Sequence, residues 1–267
     1  MKRILLHLDA DARPSAFDRI VALDAGADEV LSYANVTPEN AVALTHGAIF
    51  TRGPKDLKHT AIFVGGSNVE QAEAIAEAVA GAFFGPLRVS VLCDPNGANT
   101  TAAAAVLSAG EIDGEAAVLG LGPVGARVAR LLGDRGVTVR TFDPADGVEG
   151  TAGSVAEAID GAKTVFACGP AGTEIVSLGD LAAAGVTTAV DLNAVPPTGL
   201  AGVETHDRGA DRDGVRTFGA LAVGGLKMTI HAAAIAALFE ANDRSLGATE
   251  TLALGEALLK RDGSDAD

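Results

Sequence analysis

The chain alternates short β-branched runs with alanine-rich runs of helical period. In its first part, residues 3–8 (RILLHL), 29–33 (EVLSY), 60–66 (TAIFVGG) and 87–93 (LRVSVLC) have the length and composition of buried strands. Pro14 suits the first turn of a helix that would carry Phe17, Ile20 and Leu23 inward. The clearest helix lies over 67–84. There Val69, Ala72, Ile75, Ala76 and Val79 share one face, and Ser67 or Asn68 can cap the start. Another helix is expected over 99–110. A second alternating block follows, with strands expected at 116–120, 137–143, 164–168 and 187–193. Beyond 225 the pattern turns helical, over 226–241 and 248–261, and the polar end at 262–267 is expected to fray.

Such alternation predicts an α/β protein with mostly parallel sheets covered on both faces and right-handed crossovers. Two α/β domains are expected, with the last helices returning to the first of them. The 267 residues are 48% hydrophobic, enough for one large domain or two ordinary ones. Nine Phe, one Tyr and no Trp leave little with which to stack bases. A net charge of −15 repels phosphate backbones and anionic lipid, so neither nucleic acid nor a membrane is an expected partner. No apolar run approaches the roughly 20 residues that span a bilayer. Asp outnumbers Glu 21 to 14 and Arg outnumbers Lys 14 to six, a bias that suits a GC-rich genome or a salt-adapted host. Cys93 and Cys168 each end an expected strand. With no signal peptide, they read as reduced core thiols in a cytoplasmic protein. His7, His46, His59 and His206 show no metal-ligand spacing with the cysteines, and no metal is expected.

Gly120, Gly122 and Gly125 form G-x-G-x-x-G. Glycine is common here, so the pattern takes its weight from context. It follows an apolar strand, opens a helix carrying Val128, Leu131 and Leu132, and precedes a second strand that ends in Asp143. That is the order of a dinucleotide fold. Gly120 permits a tight turn, Gly122 lets backbone approach a pyrophosphate, and Gly125 lets helix and strand close together. Pro123 and Val124 open the helix whose unpaired N–H groups face the phosphates. Cys168 and Gly169, after the third strand of the block, join the expected cofactor-binding set. So do Asp191 and Asn193, which end the fourth strand and can approach the nicotinamide ribose or the substrate. Asp143 can accept the ribose hydroxyls of NAD and repels the 2′-phosphate of NADP. The next residue is Pro144, not a cation, so NAD is favoured and NADP stands as the alternative. The plainer reading of Asp143 is a turn opened with Pro144.

Several stretches together resemble one family. LDADARPSAFDRIVALDAGAD (8–28), YANVTPEN (33–40), AIFVGGSN (61–68), DPNGANTTAAA (94–104), GLGPVGAR (120–127), DLNAVPPTGL (191–200) and FGALAVGGLKMTIH (218–231) are similar to the NAD(P)-dependent methylene-tetrahydromethanopterin dehydrogenases. That family is related in fold to the bifunctional methylene-tetrahydrofolate dehydrogenase/cyclohydrolases. The resemblance implies a catalytic, pterin-binding domain from 1–108 and 227–267 and a Rossmann-type nucleotide domain over 109–226. It also implies an active-site cleft where they meet and a homo-oligomer, commonly a trimer. NADP-using members carry a basic residue where this chain has Pro144. The Tyr-x-x-x-Lys pair of the folate enzymes is absent, since Tyr33 is followed by Thr37, so no cyclohydrolase activity is expected.

The implied reaction moves a hydride from the one-carbon bridge of a reduced pterin to the nicotinamide, leaving a methenyl cation. Such a step asks for close positioning in a dry cleft and for carboxylates near the developing charge. Lys227 matches the family's Gly-Gly-Leu-Lys motif and is the expected catalytic residue, donating to the pterin carbonyl. Its place reads as the first turn of a helix that begins after Gly224–Gly225. A snorkelling lysine is the plainer alternative. Substrate-side candidates are Asp9 and Asp11 after the first strand, Asn96, Asn99 and Thr100 after the fourth, and His231 one turn beyond Lys227. Asp9 and Asp11 equally suit capping of the next helix, and Asn99 and Thr100 are ordinary N-cap residues. Three other functions stay open: the same chemistry on tetrahydrofolate, a shikimate-type dehydrogenase, and a non-catalytic dinucleotide sensor.

Overall fold

The structure is a computed structural model that describes residues 1–145 and 147–264, the side chains of 262–264 excepted. The chain begins β1 (Ile4–Asp9), α1 (Ala16–Asp24), β2 (Glu29–Tyr33), α2 (Pro38–Ile49), β3 (Thr60–Gly65), α3 (Val69–Gly81), β4 (Ser90–Cys93) and α4 (Ala98–Ala109). It continues β5 (Glu115–Leu119), α5 (Pro123–Asp134), β6 (Val139–Phe142), α6 (Val155–Ile159), β7 (Ala162–Ala167), β8 (Val176–Ser177), α7 (Leu178–Ala183) and β9 (Thr188–Asp191). Then come β10 (Leu200–Ala201), β11 (Arg208–Arg212), β12 (Val215–Phe218), α8 (Ala220–Ala237), β13 (Ser245–Leu246) and α9 (Ala248–Ser264). Of the end expected to fray, 262–264 continue α9, and 265–267 lie outside the described residues.

Two compact units result. One joins Met1–Thr100 to the chain from Thr229 on; the other is Thr101–Met228, so the division falls inside α4 and α8. The first unit holds a five-stranded parallel sheet in the order β13-β4-β3-β1-β2. The second holds a six-stranded sheet, β11-β12-β9-β7-β5-β6, parallel except for the β11–β12 hairpin. In each sheet the chain leaves its first strand to one side and later returns to the other. That sets a topological switch point beside β1 and β3 in one sheet and beside β5 and β7 in the other, where ligands of doubly wound sheets bind.

Period-two alternation sends Leu5 and Phe63 to one face of the first sheet, with Ile235 of α8 and Leu238 just beyond its end. Leu6, Leu8, Ile62 and Val64 go to the other, under Ile49 of α2 and Ile75 and Val79 of α3. The second unit's core gathers Leu119, Val165, Leu181 and Leu200.

Three expectations are corrected. In α1 the face was inverted: Phe17, Ile20 and Leu23 are 47%, 58% and 44% exposed, and Val21 and Ala22 are buried instead. Spacing defines a stripe but not its direction, and the smaller side chains are the ones that fit beside Leu5 and Val30. Pro14 stands outside this helix, whose cap is Ser15, accepting from the Asp18 N–H. Second, α8 begins at Ala220, not after 225, so Gly224 and Gly225 are interior and Lys227 lies beyond the first turn. Its start is fixed by backbone: Gly219 N–H donates to Asp207 O and Leu221 N–H to Thr205 O. Tertiary anchoring thereby outweighs interior glycines that cost about 1 kcal/mol each. Third, α8 spans 18 residues at mean hydropathy 1.5, closer to bilayer length than expected. A third of it is buried, including Val223, Ile230, Ala234 and Ile235, and the rest is half-buried or exposed.

The helix α2, missing from the expected elements, starts with Pro38 behind a Thr37–Asn40 capping box. The β11–β12 turn places Asp213 and Gly214 at φ +54° and +81°, the Asp-Gly hairpin signal. Truncating a core residue should separate from truncating the exposed stripe. Leu8→Ala should lose about 3 kcal/mol in urea unfolding, and Ile20→Ala less than about 1.

Candidate functional site

In the second unit, the turn from β5 to α5 runs against the end of β7. Gly120 has φ +98°, and a Cβ there would lie 2.7 Å from the Cys168 carbonyl carbon and Gly169 N. A Cβ on Gly125 would lie 1.9 Å from Gly120 O. Only glycine fits at either position. Gly122, the N-cap of α5, is different: its Cβ would meet nothing within 4 Å. The helix therefore opens onto space at the point where its first N–H groups are unpaired, with Pro123 at its first position.

That space is a cavity of about 700 Å³. Gly120, Gly122, Pro123, Asp143, Cys168 and Gly169 all line it, so six of the expected cofactor residues come together. Gly125 is buried beneath them, and Val124 does not line the cavity. Asp143 accepts from Leu121 N–H at 2.6 Å and from Ala145 N–H at 2.8 Å. It is thus both the turn-former of the plainer reading and a carboxylate on the cavity wall, with lone pairs left for further donors. The wall also holds Glu174, which sequence reasoning missed, and among the described residues no Lys or Arg lines it. Burial pushes the Cys168 thiol up to about 12, and the Asp191 carboxylate adds to the effect. Both cysteines are free.

Asp191 and Asn193 organise their own loop rather than the cavity. Asp191 accepts from the N–H groups of Asn193 and Leu200 at 2.9 and 2.8 Å. Asn193 accepts from Val195 N–H and donates to Pro197 O, across a cis Pro196–Pro197 bond. Burial holds the Asp191 carboxyl above its usual range despite the backbone N–H groups that favour its charge.

In the first unit, the expected substrate residues stand at strand ends, mostly buried. Asp9, 1% exposed, accepts from Asp11 N–H and Ser15 N–H and lies 3.3 Å from His7 Nε2. Burial opposes its charge, but the His7 imidazole and the two N–H groups outweigh it, and the carboxyl sits below its usual range. Asp11 reaches across the switch point to accept from Ser67 N–H and Oγ. Asn96 is exposed in the left-handed region, φ +51°. Asn99 and Thr100 are buried in the first turn of α4, bound to Asp94. His231 is fully buried, with Asp94 and Asp18 beside it. Sequence reasoning passed over both acids, although Asp94 directly precedes Pro95 at a helix start. Lys227 is half-buried on α8. Among the described residues no group of His, Cys, Asp and Glu could hold a metal ion.

The family model described as methylene-tetrahydromethanopterin dehydrogenase, N-terminal, matches residues 16–96. The bifunctional protein MdtA of Methylorubrum extorquens is 41% identical, covering 96% of this chain and 99% of that protein. An NAD(P)-dependent methylenetetrahydromethanopterin dehydrogenase of the same organism is 32% identical over 85% of this chain and 89% of its own length. Among solved structures, shikimate 5-dehydrogenase of Thermus thermophilus aligns over 97% of this chain and 100% of its own, at 15% identity and a TM-score of 0.45.

Gly125→Ala should lower stability by more than about 2 kcal/mol, since backbone must shift, and Gly122→Ala by less than about 1. With its thiol held well above the usual range, Cys168 should react with iodoacetamide at pH 8 much more slowly in folded protein than once unfolded, read by peptide mass spectrometry.

Proposed function

The chain belongs to the methylene-tetrahydromethanopterin dehydrogenase family, and we propose on that footing that it transfers a hydride from the methylene bridge of a reduced pterin to NAD(P), giving the methenyl form. The observation that carries this reading is the open N-terminus of α5 above the Gly120–Gly125 turn, with Asp143 on the wall of the same cavity. The chemistry of these groups fits a dinucleotide. The bare N–H groups in the first turn of α5 suit a pyrophosphate, and the glycines leave room for it. A carboxylate on the wall suits ribose hydroxyls. The nicotinamide supplies the hydride acceptor. The unit Thr101–Met228 is the dinucleotide domain in this reading, and the unit built on β1–β4 with α9 takes the pterin.

NAD is the preferred dinucleotide. Asp143 and Glu174 line the cavity, among the described residues no cation lines it to receive a 2′-phosphate, and Pro144 occupies the next position on the wall. Lys227 orients the pterin by donating from Nζ to its ring carbonyl. Asp11 and Asn96, just past the ends of β1 and β4, furnish the polar rim of the pterin site, and the charge of Asp11, with that of Asp9 buried behind it, favours the cation that forms. The protein works in the cytoplasm, in one-carbon metabolism, as a homo-oligomer; its two free thiols suit a reducing compartment.

One assay tests this reading: reduced-nicotinamide absorbance with methylene-tetrahydromethanopterin or methylene-tetrahydrofolate as donor, and NAD or NADP as acceptor. Turnover should be fastest with the methanopterin carrier, and kcat/KM with NAD should exceed that with NADP at least about tenfold. Lys227→Met should lower kcat at least about tenfold and leave NAD affinity unchanged. Binding of NAD without turnover on either carrier would identify a sensor instead.

A further inference from the structure

The first unit holds a cavity that the reaction described above does not use. Its volume is about 350 Å³, and it lies between α2 and the strands β1 and β2, where β2 is the edge of the sheet. None of the expected pterin residues is among its lining. The floor is apolar, with Ile4 and Leu6 of β1, Leu31 of β2 and Leu44 of α2. Strand register sets its length. Thr60 stands level with Ile4, Leu31 with Leu6 and Tyr33 with Leu8, so the lining spans four residue steps, about 13 Å at the usual strand rise.

Two features mark this groove as more than loose packing. One is Gly47, which lines it from the last turn of α2. Glycine weakens a helix relative to alanine. Here neither backbone nor packing asks for it, since its φ is not left-handed and a Cβ would meet nothing within 4 Å. A larger side chain would stand in the cavity instead, over Leu31, which is 41% exposed. The other feature is Arg52, half-buried where the groove reaches Thr60. Its Nη1 donates to His59 O at 2.6 Å and its Nη2 to Lys2 O at 3.0 Å. These bonds fix the guanidinium and leave three of its five N–H groups for other acceptors. Among the described residues no carboxylate pairs with it, whereas Arg140 and Arg212 pair with Glu115 and Asp207. The adjacent His59 is held below its usual range by burial and by positive charges around it, Lys58 and Arg52 among them. A chain of net charge −15 thus keeps an uncompensated cation at one end of an apolar groove.

We propose that this cavity binds an unbranched carboxylic acid of medium chain length, its carboxylate on Arg52 and its tail along Leu6 and Leu31. A guanidinium fork takes a carboxylate in two bonds at once. Open to water on one side, that contact is weak alone. Methylenes laid against the leucines supply the rest of the affinity, and they fill the space that Gly47 leaves. The bound acid ties α2 to β1 and β2, so it stabilises the unit by mass action. It does not compete with the pterin, because the two sites share no residue.

Isothermal titration calorimetry of the full chain tests this, with octanoate as probe, acetate as its head group alone and 1-octanol as its tail alone. Octanoate should bind at one site with a Kd below about 1 mM. 1-Octanol should bind at least about tenfold more weakly, and acetate should give no saturable heat. Arg52→Gln should weaken octanoate at least about fivefold and leave 1-octanol within about twofold. Gly47→Leu fills the groove from α2 and should abolish octanoate binding. Gly47→Ala should raise the urea midpoint and keep octanoate within about threefold. Octanoate should raise the urea midpoint of the unmodified chain and not that of Gly47→Leu. No saturable heat from octanoate, equal affinity for 1-octanol, or acetate binding as tightly as octanoate overturns the proposal. So does octanoate binding that is unchanged in Gly47→Leu, which would place the acid in another cavity. Should Arg52→Gln or Gly47→Leu fail to fold, the other variant and the 1-octanol comparison decide it. No turnover is read in these experiments, so their outcome is independent of the hydride-transfer reading.

Discussion

The structure turns on how closely backbone approaches backbone where β5 gives way to α5. The turn lies against the end of β7 with no room for a methyl group at Gly120 or Gly125. That contact brings the α5 N-terminus over the sheet's switch point and leaves Gly122 bare in front of it. Every feature that suits a pyrophosphate follows from it: an open helix end, a cavity, and a strand-end carboxylate a short distance along the same wall. The side chains contribute little there beyond apolar lining.

A second constraint recurs in both units. Four aspartates at or just after strand ends each accept two backbone N–H groups from the loop, helix start or short strand that follows or faces them: Asp9, Asp94, Asp143 and Asp191. Loops at the ligand end of a parallel sheet have donors that no ladder satisfies, and a carboxylate is the acceptor that satisfies two at once. In Asp9 the balance keeps the group ionised, with N–H groups and His7 overcoming burial. In Asp191 burial wins.

Much of this could be read from residues alone, and the exceptions have physical causes. The strands stood out because parallel strands covered on both faces are continuous apolar runs, and the glycine turn stood out because two of its three glycines have no alternative. The stripe on α1 was placed on the wrong side because periodicity carries no sign: bulk suggested Phe17, Ile20 and Leu23, and available space chose Val21 and Ala22. The start of α8 was misplaced because two glycines look like a break, and the anchoring comes from the distant loop at 204–207. Asp94 and Asp18 escaped notice because their meaning lies in a histidine more than a hundred positions downstream. Spacing along a chain cannot register such a pairing.

The two sheets share one winding order. Each places its first strand next to its third and sends its second outward, so each has its own crevice at the carboxyl ends. A chain folded this way acquires two switch points by repeating a single architectural rule, and the two are free to diverge in shape because neither sheet borrows a strand from the other.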